Sequence, residues 1–173
     1  MDDMRSVVEA LVFASDTPVS VDRLKDVLGE VDRKAILEIL QDIELEYRQR
    51  RGGLCLMELA GGYQFMTKTE FSPWIRKLRG IRSVPLSPAA METLSVVAYR
   101  QPVTRQEIEK IRGVDVSGSL KGLLEKKLVR IVGRKNVPGK PIMYGTTKRF
   151  LEVFDLKDLS ELPTLREITE MEE

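Results

Sequence analysis

The sequence predicts a mainly α fold with small β-hairpins, an α+β chain built from two similar units in tandem. Three observations predict it. First, one phrase is written twice: "DTPVSVDRLKDVLG" at residues 16–29 and "RQPVTRQEIEKIRG" at residues 100–113 align at a constant offset. Pro18 falls on Pro102, Val19 on Val103, Ser20 on Thr104, Leu24 on Ile108, Val27 on Ile111 and Gly29 on Gly113. A repeat at this spacing marks two units of roughly 80 residues each. Second, the longer segments place apolar residues at helical spacing, whereas "LCLMEL" and "YQFMT" alternate as strands do and are joined by "AGG". Third, 42% hydrophobic and 32% charged residues over 173 positions belong to an ordinary globular chain.

The elements follow in order. Residues 3–14 carry acids in the first turn and apolar groups at 7, 8 and 10–14, so they read as a helix. Its apolar surface exceeds what one small domain can cover. Pro18 ends the segment, Ser20 caps a second helix that keeps Val21, Leu24, Val27 and Leu28 on one face, and Gly29 stops it. Residues 32–50 form a third helix with Ile36, Leu37, Leu40, Ile43, Leu45 and Tyr47 inward, followed by the hairpin 54–67. Residues 70–79, with Trp74, read as a short helix, and "GIRSVPL" at 80–86 as a linker. The second copy repeats the order. Ser87 and Pro88 open a helix to Arg100, Thr104 caps residues 105–112, and Asp115 or Ser117 opens residues 117–128. "VRIVG" and "IMYGT" are strands around "RKNVPGKP", and "KRFLEVFD" is a last helix. Three helices and a hairpin, twice, is the winged-helix arrangement. The expected organisation is an N-terminal winged-helix domain at 1–79, a linker at 80–86, a C-terminal winged-helix domain at 87–155 and an acidic, flexible tail at 156–173.

Composition excludes several chemistries. There is no histidine, which removes the commonest general base and zinc ligand together. Cys55 is the lone cysteine and, in an alternating strand, reads as a small buried thiol. The glycine pairs at 52–53 and 61–62 precede no helix and read as turns rather than phosphate loops. No catalytic, cofactor-binding or metal-binding residue is expected, and no cofactor. No apolar run is long enough for a membrane span, and the N-terminus is acidic, so no membrane partner and a cytoplasmic location are expected.

Charge is informative by location. Residues 1–50 hold 12 acids and 7 bases, residues 121–149 hold 9 bases and only Glu125, and residues 152–173 hold 8 acids and 2 bases. The basic block suggests a DNA-contacting wing at Arg130, Arg134, Lys135 and Lys140, backed by Lys121, Lys126 and Lys127. Yet "VSGSLKGLL" offers few side chains that read base edges, and the third helix of the first unit carries acids that DNA repels. A winged-helix DNA-binding transcriptional regulator is therefore the alternative. The leading reading is a pair of protein-binding modules, because the surplus apolar surface on the first helix of each copy calls for a partner or a second subunit. Tyr99, Arg100, Gln101 and Arg105 gather interface-type side chains around one turn. Pro102, Val103, Ile108 and Ile111 read as helix-turn-helix core.

The stretches "VEALVFASDTPVS", "GGYQFMTKTEFSPWIRKL", "LSPAAMETLSVVAYRQPVTRQEIEKIRGVD" and "VGRKNVPGKPIMYGTTKRFLEVFDL" resemble segregation and condensation protein B (ScpB), the small non-SMC subunit of prokaryotic condensin, over nearly the whole chain. The resemblance implies a non-catalytic protein that forms a homodimer through its N-terminal domain and binds the kleisin ScpA through its C-terminal domain. Through the kleisin it would join an SMC ATPase in chromosome condensation and segregation, associated with the nucleoid, with at most weak non-specific DNA contact. Kleisin-binding candidates are then Tyr99, Arg100, Gln101, Arg105, Arg112 and Asp115. Candidates for the dimer interface are Val7, Val8, Leu11, Val12 and Phe13.

Overall fold

A computed structural model describes residues 2–80, 85–164 and 167. Positions 81–84 of the expected linker and 165, 166 and 168–173 of the expected tail lie outside the described residues. The described residues form two compact units, one within Met1–Arg82 together with Asp155–Glu173, the other within Ser83–Phe154. Each unit is a winged helix.

In the first unit, α1 (Asp2–Phe13), α2 (Val21–Leu28) and α3 (Arg33–Gln49) enclose Val8, Val12, Leu24, Ile36, Leu40 and Ile43. Leu56 and Tyr63 close this core from the hairpin of β1 (Leu54–Leu59) and β2 (Gly62–Thr67), paired antiparallel from Leu54 opposite Thr67 to Leu59 opposite Gly62. The turn before α2 is stitched to the hairpin by reciprocal backbone bonds between Val19 and Tyr63, at 2.9 and 2.8 Å. Gly62 makes this approach possible, because a Cβ there would lie 2.8 Å from the Val19 carbonyl carbon. A 3₁₀ turn (Thr69–Phe71) then leads into α4 (Ser72–Arg79), which ends at Gly80 with φ of 60°.

Part of the segment expected as a loose tail is bonded to the first unit. The Ala60 and Gly61 N–H groups in the hairpin turn donate to the Leu156 and Lys157 carbonyls at 2.8 and 3.0 Å. The Lys157 ammonium lies 3.0 Å from a Glu58 carboxylate oxygen.

The second unit runs α5 (Pro88–Arg100), β3 (Val103–Thr104), α6 (Arg105–Arg112), α7 (Ser117–Glu125), β4 (Val129–Arg134), β5 (Ile142–Thr146) and α8 (Lys148–Val153). Its three-stranded sheet has the order β3-β5-β4. The strand β3 was not expected; Val103 pairs with Tyr144 where the first unit has only the Val19–Tyr63 bridge. The repeat is thus realised in three dimensions. Ser20 and Thr104 both cap their helices by accepting a backbone N–H three residues on, and Gly29 and Gly113 end them with φ of 72° and 70°. Helix α7 stops at Glu125, earlier than the reading to residue 128, because Lys127 turns to φ of 57° and delivers Leu128 to the core.

Candidate interaction surfaces

Helix α1 divides the five dimer candidates. Val8 and Val12 are fully buried, so these two belong to the domain's own interior and cannot meet a second copy without opening it, whereas Leu11 is half-buried against the same core. Val7 and Phe13 remain outside, Phe13 at 69% exposed. With Ser6, Ala10 and Ala14 they form an exposed stripe of small and apolar groups at helical spacing. Around it the polar groups are paired: Arg5 bonds Glu9 and Glu46, and the Tyr47 hydroxyl donates to Glu9 at 2.6 Å. That bond, with burial, raises the Tyr47 pKa above the ordinary phenol value.

In the second unit, the six kleisin candidates fall into three kinds. Tyr99 and Arg100 are exposed at the end of α5. Arg105 and Asp115 are exposed but pair with each other at 2.8 Å, with Arg105 also 2.7 Å from Glu109. Gln101 and Arg112 are structural clamps. The Gln101 amide receives the Thr146 N–H at 2.7 Å and donates to the Thr146 hydroxyl and Ala98 carbonyl, tying the helix-turn-helix corner to β5. Arg112 is only 14% exposed and reaches from α6 to the Ala89 carbonyl, the Thr93 hydroxyl and the Glu92 carboxylate at 2.9, 3.0 and 2.5 Å. Of the four residues read as core, Val103 and Ile108 are buried, but Pro102 is exposed and Ile111 is 55% exposed. Val27, its counterpart in the repeat, is exposed to the same 55%. One turn separates Ile108 from Ile111, and the second faces away from the core beside exposed Val114.

The basic wing is partly committed inward. Arg130 donates to the Thr146 carbonyl, Arg134 to the Lys140 carbonyl, and Lys135 holds Glu107 at 2.6 Å. Glu107 also accepts the Thr104 backbone N–H and hydroxyl at 2.8 Å each, completing a capping box for α6. These donors, led by Lys135, hold its carboxyl down at about 2. Because the folded pKa lies below the unfolded one, this contribution is present at neutral pH and is lost as pH falls from about 4 toward 2. Glu107→Ala is therefore expected to cost about 1 kcal/mol at pH 7, as for a lost cap, and progressively less on acidification; denaturant titrations at a series of pH values check it.

Sequence reasoning passed over α4 as a surface. None of its residues is buried, with Trp74 at 66% and Leu78 at 87% exposed. The signal was the spacing of Phe71, Trp74 and Leu78 on one side of a short helix. Among the described residues no group of acids and cysteine is placed to hold a metal, and no helix is long and apolar enough to cross a membrane.

The family model described as segregation and condensation complex subunit ScpB matches residues 6–165. Segregation and condensation protein B of Syntrophotalea carbinolica is 46% identical over 169 residues, covering 98% of this chain and 85% of that protein. The protein of the same name from Moorella thermoacetica is 46% identical over 172 residues, covering 99% and 88%. Among solved structures, ScpB from Mycobacterium tuberculosis is 36% identical with a TM-score of 0.43, covering 88% of this chain and 95% of that one. A dimer of the ScpB N-terminal domain complexed with a ScpA peptide is 31% identical with a TM-score of 0.41, covering 44% and 95%.

Proposed function

The chain belongs to the segregation and condensation complex subunit ScpB family, and from that premise we propose that it is a non-catalytic scaffold: it pairs with a second copy through its first unit and holds the kleisin ScpA through its second. The kleisin in turn connects it to an SMC ATPase. The observation that carries the reading is the pattern of apolar exposure on two folded winged helices. Val7 and Phe13 on the first unit, and Ile111 and Val114 on the second, lie outside cores that are already complete. Such groups gain by being covered, and a polypeptide covers them more readily than a duplex does.

Support for the rival reading, a regulator that reads DNA sequence, is thin in the side chains. The outward positions of α7 are Gly118, Lys121 and Glu125, a single cation with no arginine, asparagine or glutamine to read a run of base edges. Lys121, Lys126 and Lys127 suit phosphate contact without sequence preference.

Co-expression with ScpA followed by mass measurement of the purified complex tests the proposal. Arg100, which pairs with no acid among the described residues, is expected to contribute to the kleisin contact. Arg100→Ala should reduce the ScpA retained on co-purification while leaving the melting temperature within a degree or two, as for an exposed site. Retention of ScpA at the wild-type level would remove Arg100 from the interface; absence of any ScpA complex with the unaltered chain would overturn the function itself.

A further inference from the structure

The second unit carries more cations than its own acids can hold. Residues 85–154 contain 13 bases and 6 acids. Five of those acids already hold a base of the same unit: Glu92 holds Arg112, Glu107 holds Lys135, Glu109 and Asp115 share Arg105, and Glu152 lies 3.1 Å from Arg149. An excess of this size on one small unit is the footprint of a surface that meets a polyanion.

The fold decides where the excess collects, and the place is the base of the wing rather than its tip. Thr147 caps α8, and its hydroxyl donates to the Lys127 carbonyl at 2.6 Å with the Leu128 carbonyl at 3.4 Å. That bond sets the turn that ends α7 against the start of α8, so Lys126 and Lys127 come beside Lys148 and Arg149. Arg130 joins them from β4: it stands opposite Gly145 in the sheet, and its Nε donates to the Thr146 carbonyl at 3.3 Å, using one N–H of the guanidinium. All five side chains are exposed. Lys126, Lys127 and Lys148 pair with no acid among the described residues.

The same neighbourhood lacks apolar anchors. Among the described residues, no large apolar side chain is exposed from 115 to 130 or from 145 to 152. A peptide interface is anchored by aromatic or aliphatic groups, and a face that lies on a membrane inserts such groups among the lipids. This surface offers only cations, carried on backbone that is tied together by hydrogen bonds. Cations fixed in this way suit a row of phosphodiester oxygens.

We propose that Lys126, Lys127, Arg130, Lys148 and Arg149 form a docking surface for the phosphate backbone of duplex DNA, bound without regard to base sequence. The contact goes beyond the scaffold reading and neither stands nor falls with it.

The full chain, without ScpA, is titrated into fluorescein-labelled duplexes of two unrelated sequences at a series of salt concentrations, and fluorescence anisotropy is followed. The expected result is a micromolar dissociation constant at about 50 mM salt, equal for the two sequences and rising steeply with salt. Lys126→Gln combined with Lys148→Gln should weaken binding by roughly tenfold and lower the salt slope by about 2. Its melting temperature and its retention of ScpA should stay at the wild-type values. Lys110→Gln combined with Lys140→Gln removes the same charge from two exposed lysines away from the junction, and should weaken binding by less than about threefold. An equal loss in the two double variants would show attraction to net charge alone and overturn the surface. Failure of the unaltered chain to bind either duplex at about 50 mM salt, or a preference for one sequence, overturns it too. So does tighter binding to phosphatidylglycerol vesicles than to duplex at equal phosphate. In each of these cases, retention of ScpA by the same chain would leave the scaffold reading intact.

Discussion

Gly62→Ala is expected to cost the first unit about 3 kcal/mol, at the upper end for added bulk in a packed site. The added methyl would lie 2.8 Å from both the carbonyl carbon and the oxygen of Val19, and 2.9 Å from the carbonyl carbon of Pro18. These are backbone atoms, and they cannot step aside as a flexible side chain would. Relief requires the turn before α2 to part from β2, which breaks the two Val19–Tyr63 backbone bonds and loosens Tyr63 from the core. Gly61→Ala is the control. Its φ of 76° disfavours alanine, but nothing lies within 4 Å of the added atom, so only conformational strain of about 1 kcal/mol is expected. Urea unfolding of both variants, followed by far-ultraviolet circular dichroism, checks the difference. Equal midpoints would show that the turn yields.

The second large effect separates two isoleucines on one helix. Ile108→Ala is expected to destabilise the second unit by about 3 kcal/mol, because a fully buried side chain is replaced by a cavity. Ile111→Ala, three residues later and 55% exposed, is expected to change stability by less than about 0.5 kcal/mol. Partner binding should follow the opposite order, with Ile111→Ala reducing ScpA retention and Ile108→Ala reducing it only as far as the unit unfolds. Thermal melts and co-purification of the two variants provide the measurement. A stable Ile108→Ala protein would mean that the core around α6 collapses without loss.

These two isoleucines also mark where sequence stops being legible. Element order, caps and the duplicated helix-turn-helix were readable because each depends on neighbours within a few residues: Ser20 and Thr104 on the next turn, Gly29 and Gly113 on their own φ. Which apolar residue faces inward depends on what packs from a distance. The first helix, apolar nearly all round, gave no means of telling Val8 and Val12, which fill the domain's own core, from Val7 and Phe13, which do not. The same limit hid Gln101 and Arg112. Both have the composition of interface residues, but their hydrogen bonds are spent on Thr146, and on Ala89, Thr93 and Glu92. Strand β3 was missed because two residues carry no periodicity and their partners lie on β5. The role of Gly62 was equally invisible, since a glycine next to a turn reads the same whether or not another backbone runs across it.

The backbone bonds from Ala60 and Gly61 to Leu156 and Lys157 have a bearing on how the polypeptide can be divided. The route of the chain passes from the first unit into the second and then returns, so the second is an insert rather than a sequel. A fragment cut after residue 80 would strip the hairpin turn of two acceptors and Glu58 of its ammonium, whereas residues 85–154 can be excised with every strand partner they own. Protease boundaries and expression fragments that remove Leu156 and Lys157 would therefore perturb the amino-terminal unit, far away in sequence from the cut.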